Sequence, residues 1–154
     1  NPVSFHDLWS FDIETATWNQ LFVPESVEIT STFNTTSFSL NEKAYIIGLG
    51  FSGVSWDRKA DVWEFDPSIP MWTKKSDYPD MIYGEPGTRI NNHGLVVSSA
   101  INDSRTRVYE YDPEKDRWIK RQTLSGTTAP IQFSHYLNGK LHYASGNVWV
   151  LAFD

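Results

Sequence analysis

A pattern of aromatic residues and aspartate repeats along this chain. Each copy has an aromatic residue, an aspartate three positions later and a tryptophan six positions after that aspartate. The three copies are Trp9, Asp12 and Trp18; Trp63, Asp66 and Trp72; and Tyr109, Asp112 and Trp118. A partial fourth copy ends at Asp154, and successive aspartates are 54, 46 and 42 residues apart. Periods of this length are typical of repeat proteins in which each unit is one small sheet that buries its faces against its neighbours.

Short runs rich in Val, Ile, Tyr and Trp predict β-strands throughout and no helix of normal length. In the second unit we expect four strands, A to D, at residues 36–40, 43–48, 61–66 and 72–75. The same pattern predicts two strands in the first unit, four in the third and three in the fourth. We assign the units to residues 1–22, 35–76, 87–122 and 130–154, all within one all-β domain.

The second unit resembles the kelch-repeat β-propeller family. Its strand B ends in Gly48-Leu49-Gly50, a loop follows, and strand C ends in Phe65-Asp66-Pro67 before Trp72. The resemblance implies kelch-type blades, each a four-stranded antiparallel meander, and covers nearly the whole chain. Because propellers close with about four to eight blades, we expect an incomplete propeller whose missing blades come from the rest of a longer protein or from another copy of the chain.

The resemblance is greatest to the extracytoplasmic kelch arrays of bacteria, in which Gly-x-Gly replaces a glycine doublet. It therefore implies a secreted, periplasmic or cell-surface protein. The third unit departs from the pattern with Ser98-Ser99 in place of the glycines, and the fourth has Ser145-Gly146. These departures bear on the subfamily rather than on the fold.

The repeated aspartates and tryptophans have structural interpretations. Asp66 and Asp112 each precede a proline, which favours a tight turn in which the carboxylate accepts backbone N–H hydrogen bonds. We expect Trp18, Trp72 and Trp118 to lie on strand D, mostly buried, and to contact the adjacent sheet.

Composition excludes several classes of partner. The net charge is −6 and no run of Lys or Arg is present, so we expect no nucleic acid and no anionic membrane surface as partner. No apolar run approaches the length of a transmembrane helix, which argues against membrane insertion. The chain has no cysteine, and therefore no disulfide or thiolate metal site. Because it starts at Asn1 without a methionine, we expect a processed or excised product.

The fourth unit contains a pair of histidines. Asn138-Gly139 predicts a two-residue hairpin turn, which sets His135 opposite His142 at about 5 Å between Cβ atoms. Two imidazoles at that distance are close enough to share a metal ion. No third ligand is evident nearby in the sequence, so we expect no metal and no cofactor.

Loop lengths predict a working face. The A–B and C–D turns are short, whereas the B–C and D–A connections are long and lie together on the other face of a blade. Long loops on a rigid scaffold are where binding residues concentrate. We therefore expect ligand contacts from these connections, at Trp56, Arg58, Tyr78, Tyr83, Glu85 and Arg89.

Each of these residues also has a structural alternative. Trp56 could cover the neighbouring blade instead of a ligand. Kelch repeats often carry an arginine just before strand A that points towards the central opening, which Arg89 would match, and a salt bridge between blades is the alternative. No nucleophile elbow, zinc-protease motif or phosphate-binding loop is present. We expect a non-catalytic module that binds a protein or a glycan, and the alternative is a carbohydrate-active propeller similar to the sialic acid mutarotases, with Tyr83, Glu85 and Arg89 around a central pocket.

Overall fold

The computed structural model describes residues 7–27, 35–49, 60–82, 84–99, 105–125, 131–145 and 147–152. These residues form thirteen strands in four antiparallel sheets. The first sheet contains β1 (Leu8–Asp12) and β2 (Thr17–Leu21). The second contains β3 (Thr36–Leu40), β4 (Lys43–Leu49), β5 (Ala60–Asp66) and β6 (Met71–Tyr78). The third contains β7 (Gly87–Ile90), β8 (His93–Ser99), β9 (Arg105–Asp112) and β10 (Arg117–Ser125), and the fourth contains β11 (Phe133–Leu137), β12 (Lys140–Ser145) and β13 (Asn147–Ala152).

Within each sheet the strands pair in the order of the sequence, so every sheet is a simple meander. The sheets hold two, four, four and three strands, which are the numbers expected from the repeat. The protein is therefore all-β, as predicted. None of the described residues forms a helix long and apolar enough to cross a membrane.

The short turns follow the sequence signals. Asp12 accepts hydrogen bonds from the backbone N–H groups of Glu14 and Thr15, both at 2.9 Å. Asp66 accepts one from Ser68 N, also at 2.9 Å. Asp112 accepts two at 3.2 Å. The prediction that these aspartates cap turns is confirmed. The backbone bonds lower the pKa of Asp12, and a hydrogen bond of 2.6 Å from Ser68 Oγ, together with the backbone bond, lowers the pKa of Asp66.

The hairpin of the fourth sheet has the predicted register. Asn138 and Gly139 both have positive φ, 52° and 75°, as a type I′ turn requires. His135 consequently pairs with His142. No group of three or more metal-ligating side chains occurs among the described residues.

Two apolar clusters join the last three sheets. Between the second and third sheets, Phe38 and Tyr45 pack against Tyr111 and Trp118. Between the third and fourth sheets, residues such as Leu95 and Val97 are clustered with Leu141 and Tyr143. The third sheet is thus covered on both faces.

The first strands of the sheets lie side by side. Strand β7 contacts both β3 and β11, while β6 contacts β10 at the last strands. Gly87 and Gly94 permit the close approach of the second and third sheets. A Cβ atom on Gly87 would lie 2.7 Å from the backbone oxygen of Ser37, and one on Gly94 would lie 2.3 Å from the ring of Phe38.

The repeated tryptophans differ in their burial. Trp72 and Trp118 are partly buried and contact neighbouring units, as predicted. Trp18 is 64% exposed, so the expectation that it is a buried wedge is wrong. The physical reason is that no described segment packs on its face of the first sheet.

Candidate ligand-binding cleft

A cleft of about 450 Å³ lies between the first strands of the second and third sheets. Its lining comes from β3, β4 and β7. The lining residues are Ser37, Phe38, Ser39, Ala44, Gly87, Thr88 and Arg89. Hydroxyl groups and one guanidinium therefore surround a small apolar surface from Phe38 and Ala44.

Strand alternation explains why β3 contributes polar groups to this cleft. Phe38 and Leu40 point into the core between the second and third sheets, so Ser37 and Ser39 project to the other side and are exposed. On β7, Gly87 has no side chain and permits close contact with the backbone of Ser37. A larger residue there would push the two strands apart.

Arg89 is the charged group of the cleft. It lies within β7, opposite Gly94 in the register, and its side chain is exposed. It forms no ion pair or hydrogen bond with another described residue. A guanidinium presents five N–H donors in a planar fork that matches a carboxylate. The cleft is therefore suited to a ligand that carries a carboxylate together with hydroxyl or amide groups.

The position of Arg89 differs from the expectation. Arg89 was expected just before strand A, among the long connections, but it lies inside β7 and one residue before Ile90, next to the short turn at Asn91. Strand β7 begins at Gly87, two residues before Arg89, so Arg89 is part of the strand and not of the connection before it. Arg89 nevertheless lies on the first strand of its sheet, beside β3.

Two other candidate residues, Tyr78 and Glu85, do not join Arg89 in the cleft. Tyr78 is 2% exposed and packs edge-to-face on Tyr109 and Trp118, so it is a core residue and its ring is not on the surface. Burial raises its pKa well above the usual value. Glu85 is 1% exposed and is not part of the cleft lining.

Three further candidates, Trp56, Arg58 and Tyr83, lie outside the described residues, as does the predicted B–C loop that contains the first two. Sequence reasoning missed the cleft residues Ser37, Ser39 and Thr88. Strict alternation of serine with Phe38 and Leu40 was a usable signal for two of them, because serine on the face opposite the core is exposed. Nothing in the sequence indicated that β3 and β7 would border one cleft.

A cluster of polar side chains lies at one end of the third sheet, the end at which the long connections join the strands. Asp80, in the connection from β6 to β7, accepts a hydrogen bond of 2.9 Å from Arg107 and one from the backbone of Met81. Ser98 lies at 3.5 Å from the same carboxylate. These bonds fasten the connection onto β8 and β9, which is a structural role.

Two buried glutamates occupy equivalent positions near the short turns. Glu64 accepts hydrogen bonds from Lys43 at 2.8 Å and from Tyr45 at 2.6 Å. Glu110 pairs with both nitrogens of the Arg121 fork at 2.7 and 2.8 Å. Although burial alone would raise the pKa of Glu64, the bonds from Lys43 and Tyr45 lower it below the usual value. Both carboxylates are fully engaged, which makes them structural rather than reactive.

No family model and no curated protein matches this chain. Its function is therefore inferred from the geometry of its own residues.

Proposed function

We propose that this chain is a segment of a kelch-type β-propeller. Support comes from an inter-sheet relation that recurs along the chain. The indole N–H of Trp72 donates to the carbonyl of Phe22 at 3.1 Å, and that of Trp118 donates to the carbonyl of Ser76 at 3.1 Å. Phe22 and Ser76 each stand four residues after the tryptophan of the preceding unit. Successive meanders with their first strands adjacent are the arrangement that a propeller requires.

The segment acts as a non-catalytic binding module for a protein or a glycan that presents a carboxylate. The observation that carries this proposal is the exposed Arg89, without a described partner, in a cleft that also contains Ser37, Ser39 and Thr88. An acidic sugar and an acidic peptide share this chemistry. We expect the face with the long D–A and B–C connections to extend this binding surface.

The alternative of a carbohydrate-active enzyme placed Tyr83, Glu85 and Arg89 around one pocket. Glu85 is buried away from the cleft lining, so it is not available as an acid or base beside Arg89. The described residues give the enzyme no specific support.

An NMR titration of the chain tests the binding proposal and distinguishes the two sources of the carboxylate. The probes are N-acetylneuraminic acid with neutral N-acetylglucosamine as its control, and a blocked glutamate tripeptide with its glutamine analogue as control. We expect an acidic probe to shift the amide signals of Ser37, Ser39 and Thr88, and the neutral analogues to have little effect. Binding of N-acetylneuraminic acid supports a glycan ligand, and binding of the glutamate tripeptide supports a protein ligand.

Arg89→Gln should weaken the binding of the acidic probe at least tenfold, which corresponds to about 1.4 kcal/mol. Lys120→Gln is the matched control, because it removes an exposed cation from the same sheet at its far strand. It should change the affinity less than about twofold. If neither acidic probe binds, or if Arg89→Gln binds the probe as well as the parent protein, the proposal is wrong.

A further inference from the structure

Strand β7, which carries Arg89, is short and follows directly after the long connection from β6. It spans only Gly87–Ile90, and its pairing with β8 begins at Gly87, opposite Val96. Pro86 is the residue just before it. Because proline has no N–H group, a backbone hydrogen bond can fasten the chain at this point only through the Pro86 carbonyl.

The fourth sheet supplies the partner of that carbonyl. The hydroxyl of Ser134, on β11, donates to the Pro86 oxygen at 2.8 Å. Ser134 is 2% exposed, whereas its neighbours Phe133 and His135 are exposed, so its side chain projects from the other face of β11. A buried hydroxyl without a partner is costly. This bond is therefore a specific link between the fourth sheet and the chain that enters β7.

The second sheet contacts the same part of β7 through β3. Counted back from the hairpin turns, Ser134 takes the position on β11 that Ser37 has on β3 and Gly87 has on β7. The backbone oxygen of Ser37 lies so close to Gly87 that a Cβ atom there would be only 2.7 Å away. The start of β7 is thus placed by a steric contact with β3 and by a hydrogen bond from β11.

We propose that Ser134 is a positioning residue for the Arg89 cleft, a role that rests on the function proposed above. Ser134 does not line the cleft. It fixes the carbonyl of Pro86, and Arg89 follows three residues later on the same short strand. At about 3.3 Å of rise per residue, the backbone of Arg89 lies about 10 Å from the fixed point. A shift in the start of β7 changes the angle at which the planar fork of Arg89 meets a carboxylate, and hydrogen bonds weaken steeply as their angles change.

Hydrogen exchange followed by NMR measures whether Ser134 holds β7. In Ser134→Ala, the protected amide protons of β7 should exchange at least about threefold faster than in the parent protein, because the strand opens locally. The amide protons of β10, in the same sheet, are the internal reference and should change much less. An unchanged rate in β7, or an equal increase in β7 and β10, overturns the proposal, since the second result indicates a general loss of stability.

The affinity for an acidic probe measures whether this placement matters for the cleft. The probe is N-acetylneuraminic acid or the blocked glutamate tripeptide, whichever binds the parent protein. Ser134→Ala should weaken its binding about threefold or more. Ser76→Ala is the matched control, because the Ser76 hydroxyl donates to the carbonyl of Asp116 in the next sheet at 2.6 Å, away from the cleft lining. It should leave both the affinity and the exchange of β7 unchanged.

A double-mutant cycle with Arg89→Gln shows whether Ser134 acts through Arg89. In the Arg89→Gln background, Ser134→Ala should weaken the residual binding less than about 1.5-fold, because the fork that it positions is gone. An equal effect in both backgrounds, or an unchanged affinity in Ser134→Ala alone, overturns the proposal. If neither acidic probe binds the parent protein, the proposed function fails, and the hydrogen-exchange comparison still decides whether Ser134 positions β7 and Arg89.

Discussion

Replacing Gly94 by alanine tests the packing between the second and third sheets. Gly94 lies on β8 directly under the ring of Phe38. A Cβ atom at this position would lie 2.3 Å from both Cε2 and Cζ of Phe38 and 3.0 Å from Cδ2. The ring has little room to retreat, because it is stacked on Tyr45 with a centroid distance of 5.1 Å and an interplanar angle of 8°.

The expected cost follows from two opposing effects. Inserting a methyl group into a well-packed core costs about 1 to 3 kcal/mol. Alanine in place of glycine within a strand recovers about 0.5 to 1 kcal/mol of backbone entropy. Because the approach of 2.3 Å to Phe38 is severe, we take the upper part of the first range, about 2 to 3 kcal/mol, and expect Gly94→Ala to lower the free energy of unfolding by about 1 to 2.5 kcal/mol.

Urea denaturation, followed by tryptophan fluorescence and by circular dichroism, measures this free energy. The variant Phe38→Leu makes room at the same point, and it completes a double-mutant cycle. In the Phe38→Leu background, Gly94→Ala should cost less than about 0.5 kcal/mol, which implies a coupling energy of about 0.5 kcal/mol or more. If Gly94→Ala is neutral in the parent protein, or equally costly in both backgrounds, the stacking of these sheets is not as described.

Two further outcomes are expected. The pKa of Glu64 is lower in the folded protein than in the unfolded chain. The ionised carboxylate therefore stabilises the folded protein above the unfolded pKa of about 4.3, and this contribution is lost as the pH falls through the folded pKa. Glu64→Gln should therefore flatten the decrease in stability below about pH 4 in acid titrations of the unfolding free energy, and an unchanged slope would contradict this assignment. Trp118→Ala should cost about 3 kcal/mol, whereas Trp18→Ala, measured at low protein concentration, should cost less than about 1.5 kcal/mol because only its pairing with Phe11 is lost. Equal losses in thermal or chemical unfolding would mean that both tryptophans are equally buried.

Local features of this fold could be predicted because their causes are local. The carboxylates of Asp66 and Asp112 reach backbone N–H groups two or three residues away, so the sequence alone contains both partners. The pair Asn138-Gly139 tolerates positive φ, which sets the register of its hairpin and places His135 opposite His142. Strand number followed from the same alternation and turn signals.

The candidate site was predicted less well. Arg89 was singled out because kelch repeats often carry an arginine near the start of strand A, and it does line a cleft, but Tyr78 and Glu85 are buried. Tyrosine and glutamate in a long connection have the composition of a surface loop. Tyr78 is instead the last residue of β6, and it is buried because it packs on Tyr109 and Trp118 of the third sheet, which no local pattern encodes.

The sequence by itself determined the repeat, the turns, the register of the Asn138-Gly139 hairpin and the all-β class, since each depends on residues within one unit. Only the tertiary structure decided which face of each sheet is covered. Trp18 and Trp118 have the same neighbours in their own sheets, with Phe11 and Tyr111 at nearly the same distance and angle. One is exposed and the other packs under Phe38, because burial is a property of the neighbouring sheet and not of the residue. The cleft has the same origin, as Ser37 and Arg89 come together only where β3 meets β7.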